Sequence, residues 1–147
     1  MSPGQLDPAV VRRHLLALDA AVARLRTHAG KPIDALRGDQ DELWAVERGL
    51  QLCAQNCVDL ATHLAASAGH DVVDYASAID RLADLGALPG AFAARFRAVA
   101  GLRNILVHGY LQVDLGKLHA LLNTRLDDFV ELAAHLEAYL RQASAPA

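Results

Sequence analysis

Between positions 103 and 110 the chain reads Arg103-Asn104-Ile105-Leu106-Val107-His108-Gly109-Tyr110, which brings a guanidinium, a carboxamide, an imidazole and a phenol close together in sequence. An imidazole titrating near neutrality can take a proton from a ribose 2′-hydroxyl or give one to a leaving 5′-oxygen. A guanidinium can hold a phosphate bidentately and stabilise the charge of an in-line transition state. Asn104 can orient either group or contact RNA. These are the parts of a metal-independent RNA cleavage in which the neighbouring 2′-oxygen is the nucleophile. One histidine supplies one proton-transfer group, so a second copy of the chain across a dimer would complete an acid–base pair.

The placement of Arg103 is informative in itself. The apolar stripe around it runs Phe92, Phe96, Val99 and then Leu106, and Arg103 stands where the missing middle position falls. At ~100° per residue its side chain leaves the helix within tens of degrees of Phe96 and Val99. A guanidinium on such a seam is costly to bury unless it is paired or faces a solvated cleft. It can also snorkel, or pair with Asp59 or Glu47 on a neighbouring helix, and the spacing alone leaves these alternatives open. His108 is five residues further on, which in a continuous helix separates the two by about 140° and ~7.5 Å. Gly109 reads as the helix stop, so His108 sits in the last turn, where periodicity no longer fixes its direction. There a cationic imidazole would also suit the negative end of the helix dipole, a capping role that stands beside the chemical one.

The elements that must hold this segment read as five helices and no strand. Asp7-Pro8 opens the first, with a side-chain cap and proline in the first turn. Its stripe is Val11, Leu15, Leu18, Val22 and Leu25, and Gly30 and Pro32 close it. The second runs from near Asp39 to Gly69, with Leu43, Val46, Leu50, Cys53, Cys57, Leu60 and Leu64 forming a narrow seam suited to bundle packing. A shorter third starts near Asp74 and presents Tyr75, Ile79, Leu82 and Leu85. The fourth spans Ala91 to Val107, and the fifth runs from Asp114, its expected cap, to Gln142. The expected fold is all-α: one antiparallel four-helix bundle with an additional short helix, a single domain over 1–147, with 1–6 and 143–147 flexible.

Composition agrees. Apolar residues make up 53% and charged residues 21% of the 147, an ordinary globular mixture rich in Ala and Leu. A chain of this size buries roughly two-thirds of its unfolded surface. No run is apolar enough for a membrane span, and Met1 to Gln5 carry neither a basic nor an apolar region, so a cytoplasmic protein is expected. The formal charge of −3 excludes coating of nucleic acid by bulk electrostatics. It leaves room for a local cationic site, because no acid lies between Asp84 and Asp114 while Arg95, Arg97, Arg103 and His108 do.

Cys53 and Cys57 are expected to pack in the core. His14, His28, His63, His70, His119 and His135 are scattered without metal-ligand spacing, and neither a metal nor another cofactor is expected. Tyr75, Tyr139 and Trp44 read as packing residues, and the arginines of the first helix (Arg12, Arg13, Arg24, Arg26) as a solvated face or an extended RNA track.

The string from Arg103 to Tyr110 resembles the HEPN superfamily, specifically its HepT-like toxin branch: Arg103 followed by polar Asn104, a four-residue spacer to His108, and Tyr110 two beyond. The segments Trp44 to Gln51 and Val58 to His63 are similar to the long helix of that branch. The resemblance covers the chain from Asp7 to Leu140. It implies a HEPN-like helical homodimer whose Arg103 and His108 side chains line a shared, metal-free cleft for an RNA substrate. It also implies a toxin–antitoxin pair, with a minimal nucleotidyltransferase antitoxin that transfers AMP to Tyr110. A phosphodiester there would compete with RNA for Arg103. Two other readings stay open: a non-catalytic HEPN module that serves as scaffold for a nucleotidyltransferase, and a plain structural helical protein.

Overall fold

The computed structural model describes residues 6–98, 101–102 and 114–144. Among them the elements are α1 (Pro8–Arg26), α2 (Ile33–Arg37), α3 (Gln40–Ser67), α4 (Tyr75–Asp84), α5 (Gly90–Phe96), α6 (Leu115–Thr124) and α7 (Leu126–Ser144), with no strand.

Four of these helices, α1, α3, α4 and α6, start on a carboxylate cap. Asp7 accepts from the Ala9 amide, Asp39 from Glu42, Asp74 from Ser77 and Asp114 from Lys117, each satisfying an amide that has no partner within its helix. α3 and α4 stop the same way. Gly69 and Gly86 take positive φ of 84° and 78°, and the next amide, of His70 or Ala87, reaches back to Ala65 or Leu82. This is the glycine-dependent Schellman arrangement.

The chain packs as an antiparallel bundle around α3. At one end of the α1–α3 pair the amide of Asp7 donates to His63 Nε2 at 3.4 Å. In the middle His14 Nδ1 lies 2.9 Å from Asn56 Oδ1, and at the far end His28 Nδ1 lies 2.9 Å from Glu42 Oε1. α7 also runs against α1, with Arg26 at the end of α1 paired to Asp127 at the start of α7 at 2.8 Å. The expected α1 stripe is buried throughout.

Four features differ from expectation. The seam of α3 is not narrow: Ala54, Val58, Ala61 and Ala65 are buried beside it, so the buried arc spans roughly 160° at ~100° per residue. A central helix that packs on α1 and on α4 needs that width. Trp44 lies ~160° away from Val46 on this helix, and it is 61% exposed instead of packed. α2 is an extra turn of helix that starts directly after Pro32 and buries Leu36. Finally, the expected fifth helix is two. Asn123 and Thr124 bond through their side chains to the carbonyls of His119 and Ala120, and the helix breaks at Arg125 before restarting at Leu126. Such side-chain bonds to the preceding turn bend helices.

Candidate functional site

Arg103, Asn104, His108 and Tyr110 lie outside the described residues. The structure fixes the elements on either side of them.

On the upstream side, α5 is held against α7 by aromatic contacts. Phe92 and Phe96 stack at 5.3 Å. Phe96 meets Phe129 edge-on at 6.0 Å, and Phe92 lies 5.2 Å from the His135 ring. Offset and edge-to-face pairs of this kind add ~0.5–1.5 kcal/mol each beyond their buried area. Because Phe92 faces His135 while Phe96 faces Phe129, α5 runs antiparallel to α7. The expected Ala91–Val107 helix is interrupted by a turn at Arg97, Ala98 is helical again, and its positions 99–100 and 103–107 lie outside the described residues. Arg97 keeps helical dihedrals and its amide donates to Ala93 at 3.1 Å, and residues 101–102 are helical again.

Part of the local positive charge expected of this stretch, that of Arg95 and Arg97, is answered by acids from other helices. Arg95 lies 3.3 Å from Asp128 and 3.4 Å from Glu131, with its guanidinium 5.0 Å above the Phe92 ring. Arg97 pairs with Asp80 at 3.1 Å. These two arginines therefore brace α5 on α7 and α4, and sequence order hid their partners. The alternative partners considered for Arg103 are both half-buried on α3. Asp59 accepts from Gln55 Nε2 at 2.8 Å, while burial raises the Glu47 carboxyl above its usual range.

On the downstream side, the chain re-enters at Asp114. α6 is pinned by two side chains to the connection between α1 and α2: His119 Nε2 donates to the Lys31 carbonyl at 2.8 Å, and Asn123 Oδ1 accepts from the Gly30 amide at 2.7 Å. Leu102 and Asp114, which bound the segment 103–113, both line one cavity of about 380 Å³. Its walls are mostly apolar, Leu102, Leu118 and Leu121 among them, and Asp114, Lys117 and Arg125 supply charge. The two described residues that flank the motif segment thus border a single cleft.

The cysteines are structural. Cys53 and Cys57 are 0% and 2% exposed; burial pushes the Cys53 thiol up to about 12 and the Cys57 thiol well above its ordinary value. Neither is a nucleophile near neutrality. Five of the histidines serve as ties, four of them between helices or loops and His135 within α7 to Glu131 at 3.2 Å. Among the described residues no three His, Cys, Asp or Glu side chains are grouped to hold a metal ion, and no helix is long and apolar enough to cross a membrane.

Comparison with known proteins fits this fold. No curated protein sequence matches the chain. Among solved structures it is similar to the tri-AMPylated HEPN toxin of Shewanella oneidensis in complex with an MNT antitoxin, at 19% identity and a TM-score of 0.79 over 90% of this chain and 99% of that one. A toxin–antitoxin structure with AMP-PNP matches at 19% identity and 0.78, over 88% and 98%. YutE of Bacillus subtilis, described as a cytosolic protein of unknown function, matches at 18% and 0.81, over 97% and 96%. At these identities the likeness is one of fold. The model for the family described as ribonuclease HepT-like matches residues 18–136, most of the chain and all of its motif segment, and the chain belongs to that family.

Proposed function

We propose that the protein is a metal-independent endoribonuclease toxin whose site is composed of Arg103 and His108 from two copies of the chain. The observation that carries this reading is the intact string Arg103 to Tyr110 inside the region matched by the HepT-like ribonuclease family. In the reaction His108 of one copy removes the proton from the ribose 2′-hydroxyl, and the 2′-oxygen attacks phosphorus in line. The bond to the 5′-oxygen breaks, and the second His108 protonates the leaving oxygen, so that a 2′,3′-cyclic phosphate and a 5′-hydroxyl result. Arg103 binds the non-bridging oxygens and stabilises the charge they gain in the transition state. Asn104 supports the pair or contacts RNA. A cognate minimal nucleotidyltransferase would silence the site by AMP transfer to Tyr110; two structures of similar fold are described as toxin–antitoxin complexes, one of them with a tri-AMPylated toxin.

Incubation of the purified protein with RNA in the presence of EDTA tests this. Cleavage with cyclic-phosphate ends is expected, and it should be lost in His108→Ala. If His108→Ala cuts as well as the wild type, or nothing is cut, the enzymatic reading fails and the scaffold reading takes its place.

A further inference from the structure

We propose that the groove between α1 and α3 is a second, sequence-independent binding track for the phosphate backbone of RNA; this rests on the ribonuclease reading above.

The arginines among the described residues divide into two groups. Arg26, Arg37, Arg81, Arg95, Arg97, Arg125 and Arg141 each have a carboxylate partner. Arg12, Arg13, Arg24 and Arg48 have none among the described residues, and Arg48 donates instead to the neutral Gln51 at 2.6 Å. Three of these four border one groove. It consists of two consecutive hollows of about 440 and 410 Å³, the first flanked by Arg13, His14 and Asn56, the second by Arg24, His28 and Arg48. Neither hollow is lined by an acidic residue, although acids outnumber Lys and Arg in the chain by 17 to 14. The acids of α3 in the groove's helical phase lie beyond its two ends: Asp41 and Glu42 one turn before Ala45, with Glu42 taken up by His28 and Lys31, and Asp59 one turn after Asn56, engaged by Gln55.

The geometry suits a strand of phosphates. α1 and α3 are antiparallel, so the hollows lie end to end. Arg13 and Arg24 are eleven residues apart on one helix, ~16 Å along its axis, with Arg48 facing the second hollow from the other wall. All three side chains are exposed, and the floor between them is made of small residues such as Ala17, Ala21 and Gly49. Aromatic anchors, which dominate protein–protein hot spots and base-stacking platforms alike, are absent from both linings. Guanidinium groups without aromatic neighbours read charge and spacing, not bases, and so favour a polyanion bound through its backbone.

Binding of a fluorescent oligouridylate of about 20 nucleotides, and of a mixed-sequence strand of equal length, to the His108→Ala protein tests the assignment, with salt as the variable. Replacing Arg13, Arg24 and Arg48 together by Gln should weaken both RNAs alike. It should also lower the slope of log K against log salt by about 2, at ~0.7 per lost phosphate contact on a single strand. Arg81→Gln, which removes a paired arginine on α4, should leave the slope where it was, and unchanged circular dichroism would show that the triple variant is folded. An unchanged slope and affinity in the folded triple variant overturn the groove proposal while leaving cleavage by the wild type intact. RNA binding that persists while binding of the nucleotidyltransferase is lost also overturns it, and gives the face to a protein partner. A wild type that neither cuts nor binds RNA overturns the reading on which it rests.

Discussion

The side chain of Leu25 fills the space above Gly49: a β-carbon on that glycine would lie 2.6 Å from Leu25 Cδ2 and 2.8 Å from its Cγ. This contact sets how closely α1 and α3 approach, and Leu25 itself is only 1% exposed. Glycine inside a helix is a local weakness, so its presence at mid-α3 has a packing cause.

Gly49→Ala therefore sets two effects against each other. Alanine gains about 1 kcal/mol of helix propensity, but overpacking a closed contact costs ~1–3 kcal/mol, and because the branch carbon of Leu25 is as close as its methyl, the clash should win. We expect net destabilisation of about 1 kcal/mol by urea unfolding, partly relieved in the double variant with Leu25→Val. A more stable Gly49→Ala protein would show that the helices separate freely.

The two thiols should be inert in the native state. Their pKa values are raised by burial, Cys53 to about 12 from an ordinary 9.0. A raised value means that the folded state holds the proton more tightly than the unfolded one. That contribution to stability is complete below pH 9 and is lost as pH rises toward the native values. Ellman's reagent near pH 8 should therefore react only at the rate of unfolding, and at once in concentrated urea. Rapid labelling of the native protein would contradict the packing of α3.

Much of the fold is legible along the chain because its determinants are local. Asp7, Asp39, Asp74 and Asp114 are caps whose acceptors serve amides within three residues, and the α1 stripe repeats at helical spacing. What was hidden is either too short or too distant. α2 has five residues, fewer than two turns, and so shows no period. The break at Arg125 depends on the rotamers of Asn123 and Thr124, which sequence does not display. The partners of Arg95 lie more than thirty residues away on α7, so a segment that looks positive in sequence is partly neutralised in space. The motif is the reverse case: its residue types and spacing are plain in the sequence, while the fold supplies the cleft that Leu102 and Asp114 border on either side of it.

The connection between α1 and α2 carries an acid-sensitive latch. Glu42, on α3, accepts from Lys31 and from His28, and these bonds, that to Lys31 foremost, hold its carboxyl below the usual 4.5. A lowered value means stabilisation that is present above pH 4.5 and lost as pH falls through the native pKa. Amide exchange at Gly30, whose N–H is held by Asn123, should quicken over that acid range. In Glu42→Gln it should already be fast at neutral pH and depend less on acid; equal protection in the two proteins would mean that the latch does not hold the loop.

The proposed switch at Tyr110 gives the sharpest distinction between a nuclease toxin and a scaffold. Co-expression with a minimal nucleotidyltransferase antitoxin, the partner proposed above, should raise the intact mass by one or more AMP groups, and Tyr110→Phe, which lacks the acceptor oxygen, should gain none at that position. The adenylated phenol carries a phosphodiester within two residues of His108, where it offers Arg103 an intramolecular anion in place of the RNA phosphate. Modified protein should consequently lose RNA cleavage, while Tyr110→Phe should cut RNA whether or not the transferase is present. If Tyr110→Phe still acquires AMP and is still silenced, the acceptor lies elsewhere; if modification occurs at Tyr110 but leaves cleavage untouched, the phenol is not the control point of this site.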